Sequence, residues 1–72
     1  MTLTQYDPVR LRVSRPDLGL APGASGVVVD VYTRPRVAYE VEFLARDGRT
    51  LGVWTMEPEE IEFDQSRRSP TS

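Results

Sequence analysis

Two acidic residues are the first candidates for catalysis. Glu40 and Glu42 are separated by one residue, so their side chains lie roughly 6.5 Å apart along an extended strand, as in a paired-carboxylate glycosidase site. General acid and base catalysis also needs a cleft, and 72 residues offer little material to build one. We therefore interpret both as the solvated face of a half-buried strand and do not expect an enzyme.

The residue types that serve most other active sites are missing. The chain has no Cys and no His, which excludes thiolate chemistry, His-based triads and the usual zinc sites. Gly19, Gly23 and Gly26 precede a Val-rich strand rather than a helix, so they indicate turns and not a phosphate-binding loop. We expect neither a metal nor a cofactor.

Arginines and aromatic residues form the candidate partner-binding set. Its members are Tyr6, Arg10, Arg12, Arg15, Tyr32, Arg34, Arg36 and Trp54. Arginines beside tyrosines are typical of surfaces that bind single-stranded nucleic acid. The alternative interpretation is ion pairing: if the first strand pairs with the last, Arg10 and Arg12 lie opposite acids of the stretch 60–64. We favour ion pairing.

The charge distribution argues against nucleic acid as the partner. The net charge is −2, with nine basic residues, all Arg, against eleven acids. Residues 6–64 carry seven Arg and all eleven acids, a net charge of −4, which repels a phosphate backbone. The acidic stretch 57–64 is either a docking surface for a basic partner or a solvated edge that prevents aggregation.

Alternating apolar residues predict a small all-β domain. Strands are expected at 9–13, 26–32, 38–44, 50–56 and 61–63, with a long loop at 14–24 that Leu18 and Leu20 anchor, and a 3₁₀ turn at 57–60. This pattern favours a five-stranded SH3-like barrel. The predicted core is Val9, Leu11, Val27, Val29, Tyr39, Val41, Phe43 and Ile61. We expect residues 1–5 to be flexible, 6–64 to form the barrel, and 65–72 to be a disordered tail.

The position of Trp54 depends on the hairpin turn at Asp47-Gly48. A two-residue loop pairs Val41 with Trp54 and directs Trp54 inward with Tyr39 and Phe43. A three-residue loop with a bulge reverses the strand, so that Trp54 becomes an exposed anchor for an interface. Core placement is the preferred alternative.

Several motifs resemble a known bacterial family. They are the strings 6–11 (YDPVRL), 16–28 (PDLGLAPGASGVV), 31–32 (VY), 39–43 (YEVEF), 47–51 (DGRTL) and 55–56 (TM). Over residues 6–63 the chain resembles domain of unknown function 4926, which is similar in turn to SH3-like and KOW-like barrels. The resemblance implies the fold rather than a function. Trp54 departs from the family pattern, in which an aliphatic residue is expected.

Together these features predict a non-catalytic protein-interaction module, such as an accessory subunit or an immunity-type antitoxin. The alternative is a KOW-like protein that binds RNA or single-stranded DNA through the Arg residues. The N-terminus has no signal-peptide pattern and no apolar run approaches the ~20 residues of a membrane span, so we expect a cytoplasmic location in a bacterium and no membrane contact.

Overall fold

The computed structural model describes residues 2–67, which form one antiparallel β-sheet. Its strands are β1 (Pro8–Leu11), β2 (Ser25–Tyr32), β3 (Ala38–Leu44), β4 (Thr50–Met56) and β5 (Ile61–Phe63). Short 3₁₀ helices lie at Pro16–Leu18, Pro58–Glu60 and Gln65–Arg67. The predicted all-β class, the five strands and the 3₁₀ turn before the last strand are confirmed.

The strand order places the last strand beside the first. It runs β4-β3-β2-β1-β5, and β1 pairs with β5 so that Arg10 lies opposite Glu62 and Leu11 opposite Ile61. Within residues 2–67, β4 and β5 do not pair with each other, so hydrogen bonds do not close the sheet into a barrel. The predicted order of strands is present, but in the part of the chain that the structure describes β4 and β5 each have one edge without a neighbouring strand.

The core lies on one face of the sheet and includes residues from every strand. Its buried members are Leu3, Val9, Leu11, Leu20, Val28, Tyr39, Val41, Phe43, Met56 and Ile61. Six of the eight predicted core residues are therefore confirmed. The prediction was wrong for Val27 and Val29, which are only half-buried.

The two errors have one cause: the prediction assigned the wrong face of β2 to the core. Val28 pairs with Val41 and Gly26 with Phe43, which directs these two positions inward, and a β-bulge between Val28 and Asp30 then shifts the register. A Cβ on Gly26 would lie 2.7 Å from Cγ1 of Val41, so the close approach of β3 requires glycine there. Val27 to Val29 are three identical residues, so the sequence does not reveal which one faces the core.

The long loop after β1 is anchored as predicted. Leu20 is buried and Leu18 packs against the core. The backbone N–H of Arg15 donates to the Leu20 carbonyl at 2.9 Å, and the N–H of Leu20 donates to the Arg15 carbonyl at 3.0 Å. Gly19 ends the 3₁₀ helix in the left-handed region with φ of 73°, a conformation that glycine adopts without strain.

Residues on both sides of the predicted barrel contact it. Leu3 is buried, and its N–H donates to the Tyr39 hydroxyl at 3.4 Å. Arg67 donates from one guanidinium nitrogen to the carbonyls of Val9 and Gly26, at 3.3 and 2.9 Å. Leu3 and Arg67 thus contact the strands from either side of residues 6–64, whereas residues 68–72 of the predicted tail lie outside the described residues.

Candidate functional site

The eight predicted partner-binding residues lie in separate places. Arg10 lies on β1, Arg12 follows that strand, and Tyr6 precedes it. Arg15, Tyr32, Arg34 and Arg36 line one depression near the end of β2. Trp54 lies on β4 and packs against the core. The structure therefore brings four of the eight residues together.

Acids on β5 pair with the arginines of the first strand. Nε of Arg10 donates to Glu62 at 2.6 Å, and another guanidinium nitrogen of Arg10 lies 3.7 Å from the Asp64 carboxylate. Nε of Arg12 lies 3.9 Å from Glu62. The hydrogen bond that Arg10 donates to the Glu62 carboxylate raises the pKa of Arg10 above its usual value. The predicted ion pairs are confirmed, and a phosphate binding here would have to compete with these carboxylates.

Asp64 is the buried polar residue of this region. Its carboxylate accepts hydrogen bonds from the backbone N–H and the hydroxyl of Ser66, at 3.1 and 2.6 Å. The Ser66 hydroxyl is the main cause of a lowered pKa at Asp64, and the charges of Arg10 and Arg67 act in the same direction. An Asp two residues before a Ser is a signal for such a turn, whereas from the sequence Asp64 was considered only as a partner of the first-strand arginines or as part of a docking surface or solvated edge.

The depression near the end of β2 has a volume of about 580 Å³ and a mixed charge. Arg15 lies 3.0 Å from Glu60, and Arg36 lies 3.7 Å from Glu57. Among the described residues, Arg34 has no carboxylate within ion-pair distance. The site can thus offer one unpaired guanidinium to an anion.

Tyr32 borders the same depression, and the pKa of its hydroxyl reflects the negative charge nearby. The negative charge of Glu40 raises the pKa of the Tyr32 hydroxyl, with smaller contributions from burial and from Asp30. The tyrosine is therefore close to acids as well as to arginines, which weakens the attraction of this surface for a phosphate backbone.

Tyr6 is the most exposed of the aromatic candidates, with 70% of its surface accessible. Its backbone has a φ of 73°, which is uncommon for a residue other than glycine. The backbone N–H of Tyr6 donates to the Val28 carbonyl at 2.6 Å, and this bond joins the N-terminal segment to β2. The position is set by the backbone, and the ring is free to contact a partner.

Trp54 lies opposite Val41, which is the register that the preferred alternative predicted. The hairpin turn is not the two-residue loop from which that register was predicted. Trp54 pairs with Val41 and its ring centroid is 6.2 Å from that of Phe43. The turn is wider, because the N–H of Ala45 donates to the Arg49 carbonyl at 2.8 Å, and a bulge then restores the pairing. The side chain is half-buried against the core, so the inward direction is confirmed.

The outer edge of β4 has exposed apolar residues that were not among the binding residues predicted from the sequence. Leu51 and Val53 are 49% and 46% exposed, and β4 is the one strand within residues 2–67 that contains no charged residue. The strand pairs with β3 on one side, and no strand within residues 2–67 pairs with it on the other side. The signal available in the sequence was the uncharged run 50–56.

Polar contacts across the outer face hold two acids beside this strand. The Thr50 hydroxyl donates to the Glu42 carboxylate, and the Thr55 hydroxyl donates to the Glu40 carboxylate. Glu40 and Glu42 are therefore engaged in cross-strand hydrogen bonds, as expected for the solvated face of a sheet. Within residues 2–67 no three acidic side chains are grouped as a metal site would require.

Residues 5–63 of the chain match one known family, described as Domain of unknown function (DUF4926). The chain belongs to this family. The match includes all five strands, from the segment before β1 to the end of β5. No curated protein and no solved structure matches the chain.

The geometry of this DUF4926 member offers two surfaces for a partner. One is the depression around Arg34, whose charges are mostly paired. The other is the uncharged edge of β4 with its exposed Leu51 and Val53.

No helix in the described part of the chain is long and apolar enough to cross a membrane.

Proposed function

We propose that this DUF4926 protein is a non-catalytic module that binds a second protein chain by accepting a partner strand along β4. The observation that carries the proposal is the free edge of that strand, which has seven residues, no charge and two exposed aliphatic side chains. Natural proteins ordinarily protect such an edge with charges, Pro, bulges or covering segments, and β4 has neither charge nor Pro, while its bulge lies at its start between Thr50 and Gly52. A strand added by a partner would satisfy its backbone and cover Leu51 and Val53.

This mode of binding fits a protein that acts by covering another one. Main-chain hydrogen bonds along the edge would supply affinity, while Leu51 and Val53 would select the apolar side chains of the partner strand. A small accessory subunit or an immunity-type antitoxin would use the surface in this way. The proposal needs neither a cofactor nor a catalytic group.

The test compares two valines of similar exposure. Val53 on β4 is 46% exposed, and Val37 in the β2–β3 connection is 43% exposed. Proteins retained by the purified chain from its native host are identified, and each is then expressed and titrated against the chain by calorimetry. We expect Val53→Arg to weaken binding by more than about tenfold because it places a charge in the strand interface, while Val37→Arg changes it less than about twofold.

An unchanged titration with Val53→Arg would contradict the proposal. Equal loss with both arginine variants would also contradict it, because binding would then depend on overall charge rather than on the β4 edge.

The alternative function, binding of RNA or single-stranded DNA, is supported by the unpaired Arg34 beside Tyr32 and Arg36. We expect no sequence-independent affinity tighter than about 10 μM at physiological salt, because carboxylates already pair with most of the arginines. Fluorescence anisotropy with labelled single strands from about 50 to 200 mM salt provides the measurement. Micromolar binding with a steep salt slope, lost on Arg34→Ala with Arg36→Ala, would favour nucleic acid instead.

A further inference from the structure

The order of residues along β4 is complementary to itself. If two copies of the strand run antiparallel with Val53 opposite Val53, then Gly52 lies opposite Trp54, and Leu51, which is the extra residue of the β4 bulge, lies near Thr55. Each pair contains no charge, so neither strand places an unpaired ion in the contact. The exposed Leu51 and Val53 of both copies would lie at one interface.

The charges that flank the strand fit the same register. Arg49 precedes β4 and Glu57 follows it, and the side chains are 74% and 52% exposed. With Val53 at the centre, the β4 bulge offsets Arg49 of each copy by about one residue from Glu57 of the other, which two long exposed side chains can still span. A parallel arrangement would instead place like charges side by side at both ends. The two ends of β4 therefore favour an antiparallel pair.

Partners within the chain leave these end charges available. Arg49 contacts Asp47 at 2.8 Å and Glu57 lies 3.7 Å from Arg36, but all four side chains remain more than half exposed. The interchain pairs can thus join existing surface networks without displacing a buried contact. Glu40 and Glu42 lie on β3, one strand away from the contact, where Thr55 and Thr50 donate hydrogen bonds to their carboxylates.

We infer that the partner strand is β4 of a second copy of this chain, related by a two-fold axis between the two Val53 residues. This inference rests on the proposed function, since it names the occupant of the same edge. The contact is isologous and joins two five-stranded sheets into one of ten strands. A strand of seven residues is about 24 Å long, so the interface is small and the dimer is expected to dissociate in the micromolar range.

The first test is the oligomeric state in solution. Sedimentation equilibrium of the full chain from about 1 μM to 1 mM should show a monomer–dimer equilibrium across that range. Val53→Arg should raise the dissociation constant at least tenfold, because two arginines would face each other at the axis, and Val37→Arg should leave it unchanged. A chain that stays monomeric at every concentration overturns the inference.

The second test reads the register by cysteine cross-linking, which is clean because the native chain has no Cys. Directly opposed residues of an antiparallel pair have Cβ atoms about 4.5–5.5 Å apart, within reach of a disulfide after small adjustment. Val53→Cys should therefore give a covalent dimer on mild oxidation. Leu51→Cys should not, since its two copies lie on the order of 13 Å apart along the strands.

The matched control is Val37→Cys, which has similar exposure outside β4. Equal cross-linking of the 37 and 53 variants, or preferential cross-linking of Leu51→Cys, overturns the inferred register. If the chain remains monomeric while Val53→Arg abolishes binding to a different protein, the inference fails and the proposed function stands. If Val53→Arg affects neither self-association nor any partner, both fail.

Discussion

The two free edges of the sheet are built in opposite ways. β5 has three residues, contains Glu62 at its centre, and is followed directly by the buried Asp64. β4 has seven residues, no charge, and exposed Leu51 and Val53. A short strand with a charge at its centre is a poor template for another strand, whereas a long uncharged one is a good template.

Other parts of the chain lie close to β5. Leu3 and Tyr39 line a depression of about 590 Å³ together with Ile61 and Phe63, and Leu3 is itself buried. The N-terminal segment thus packs near the strand that completes the pairing with β1. This small domain therefore stabilises the β5 edge internally, whereas the β4 edge is the one that the proposed partner strand would occupy.

The largest expected difference between the two edges concerns stability. Ile61 on β5 is 3% exposed, whereas Leu51 on β4 is 49% exposed. Ile61→Ala should lower the free energy of unfolding by about 2–5 kcal/mol because it leaves a cavity in the core. Leu51→Ala should change it by less than about 0.5 kcal/mol in the monomer.

Urea denaturation at low protein concentration measures both variants under conditions where self-association is negligible. Equal destabilisation by the two substitutions would mean that β4 is covered within the monomer, and would remove the contrast between the edges.

A second, smaller effect concerns the buried carboxylate beside β5. The hydrogen bonds of Ser66 lower the pKa of Asp64 in the folded chain, so the unfolded chain binds the proton more readily. This stabilisation is complete above the unfolded pKa of about 3.9 and is lost as the pH falls through the lower folded value. Asp64→Asn should therefore destabilise the fold by about 1–3 kcal/mol at pH 7, and the difference should shrink below about pH 4.

Chemical denaturation from about pH 7 down to pH 2.5 tests this dependence across the predicted window. The exposed Glu59→Gln provides the control, since it removes a nearby acid without a buried contact. A difference between the parent and Asp64→Asn that stays constant over the whole pH range would show that burial of the amide, and not the charge of Asp64, sets the effect.

The fold could be predicted where apolar and polar residues alternate. β3 has Tyr39, Val41 and Phe43 on one face with Glu40 and Glu42 on the other, and the structure follows that pattern. β2 offers no such contrast, because its valines are consecutive and its bulge depends on the pairing with β3. Register there is a tertiary property that the local sequence does not encode.

The candidate site could be predicted only in part for a similar reason. Pairing of Arg10 and Arg12 with acids followed from the strand order alone. The exposure of Leu51 followed only from the alternative that directs Trp54 inward, and the sequence did not reveal the bulge opposite Phe43 and Leu44 that lets a wider turn keep this register. The turn signal at Asp47-Gly48 was read correctly as a hairpin, but its loop length is set by the contact of Ala45 with Arg49.

The smallest expected effect comes from the ion pair that joins β1 to β5. The side chains of Arg10 and Glu62 are 45% and 44% exposed, so water screens their attraction even at 2.6 Å. Arg10→Ala should therefore lower the urea midpoint less than Asp64→Asn does, and the change should diminish towards about 1 M NaCl, where charges are screened within about 3 Å. Arg46→Ala in the exposed β3–β4 turn is the control.

Ser66 already supplies two hydrogen bonds to Asp64, so loss of Arg10 leaves that carboxylate satisfied. A salt-independent loss as large as that of Asp64→Asn would instead make Arg10 the main support of the buried carboxylate, and protection of the β5 edge would then depend on the pair rather than on the short strand.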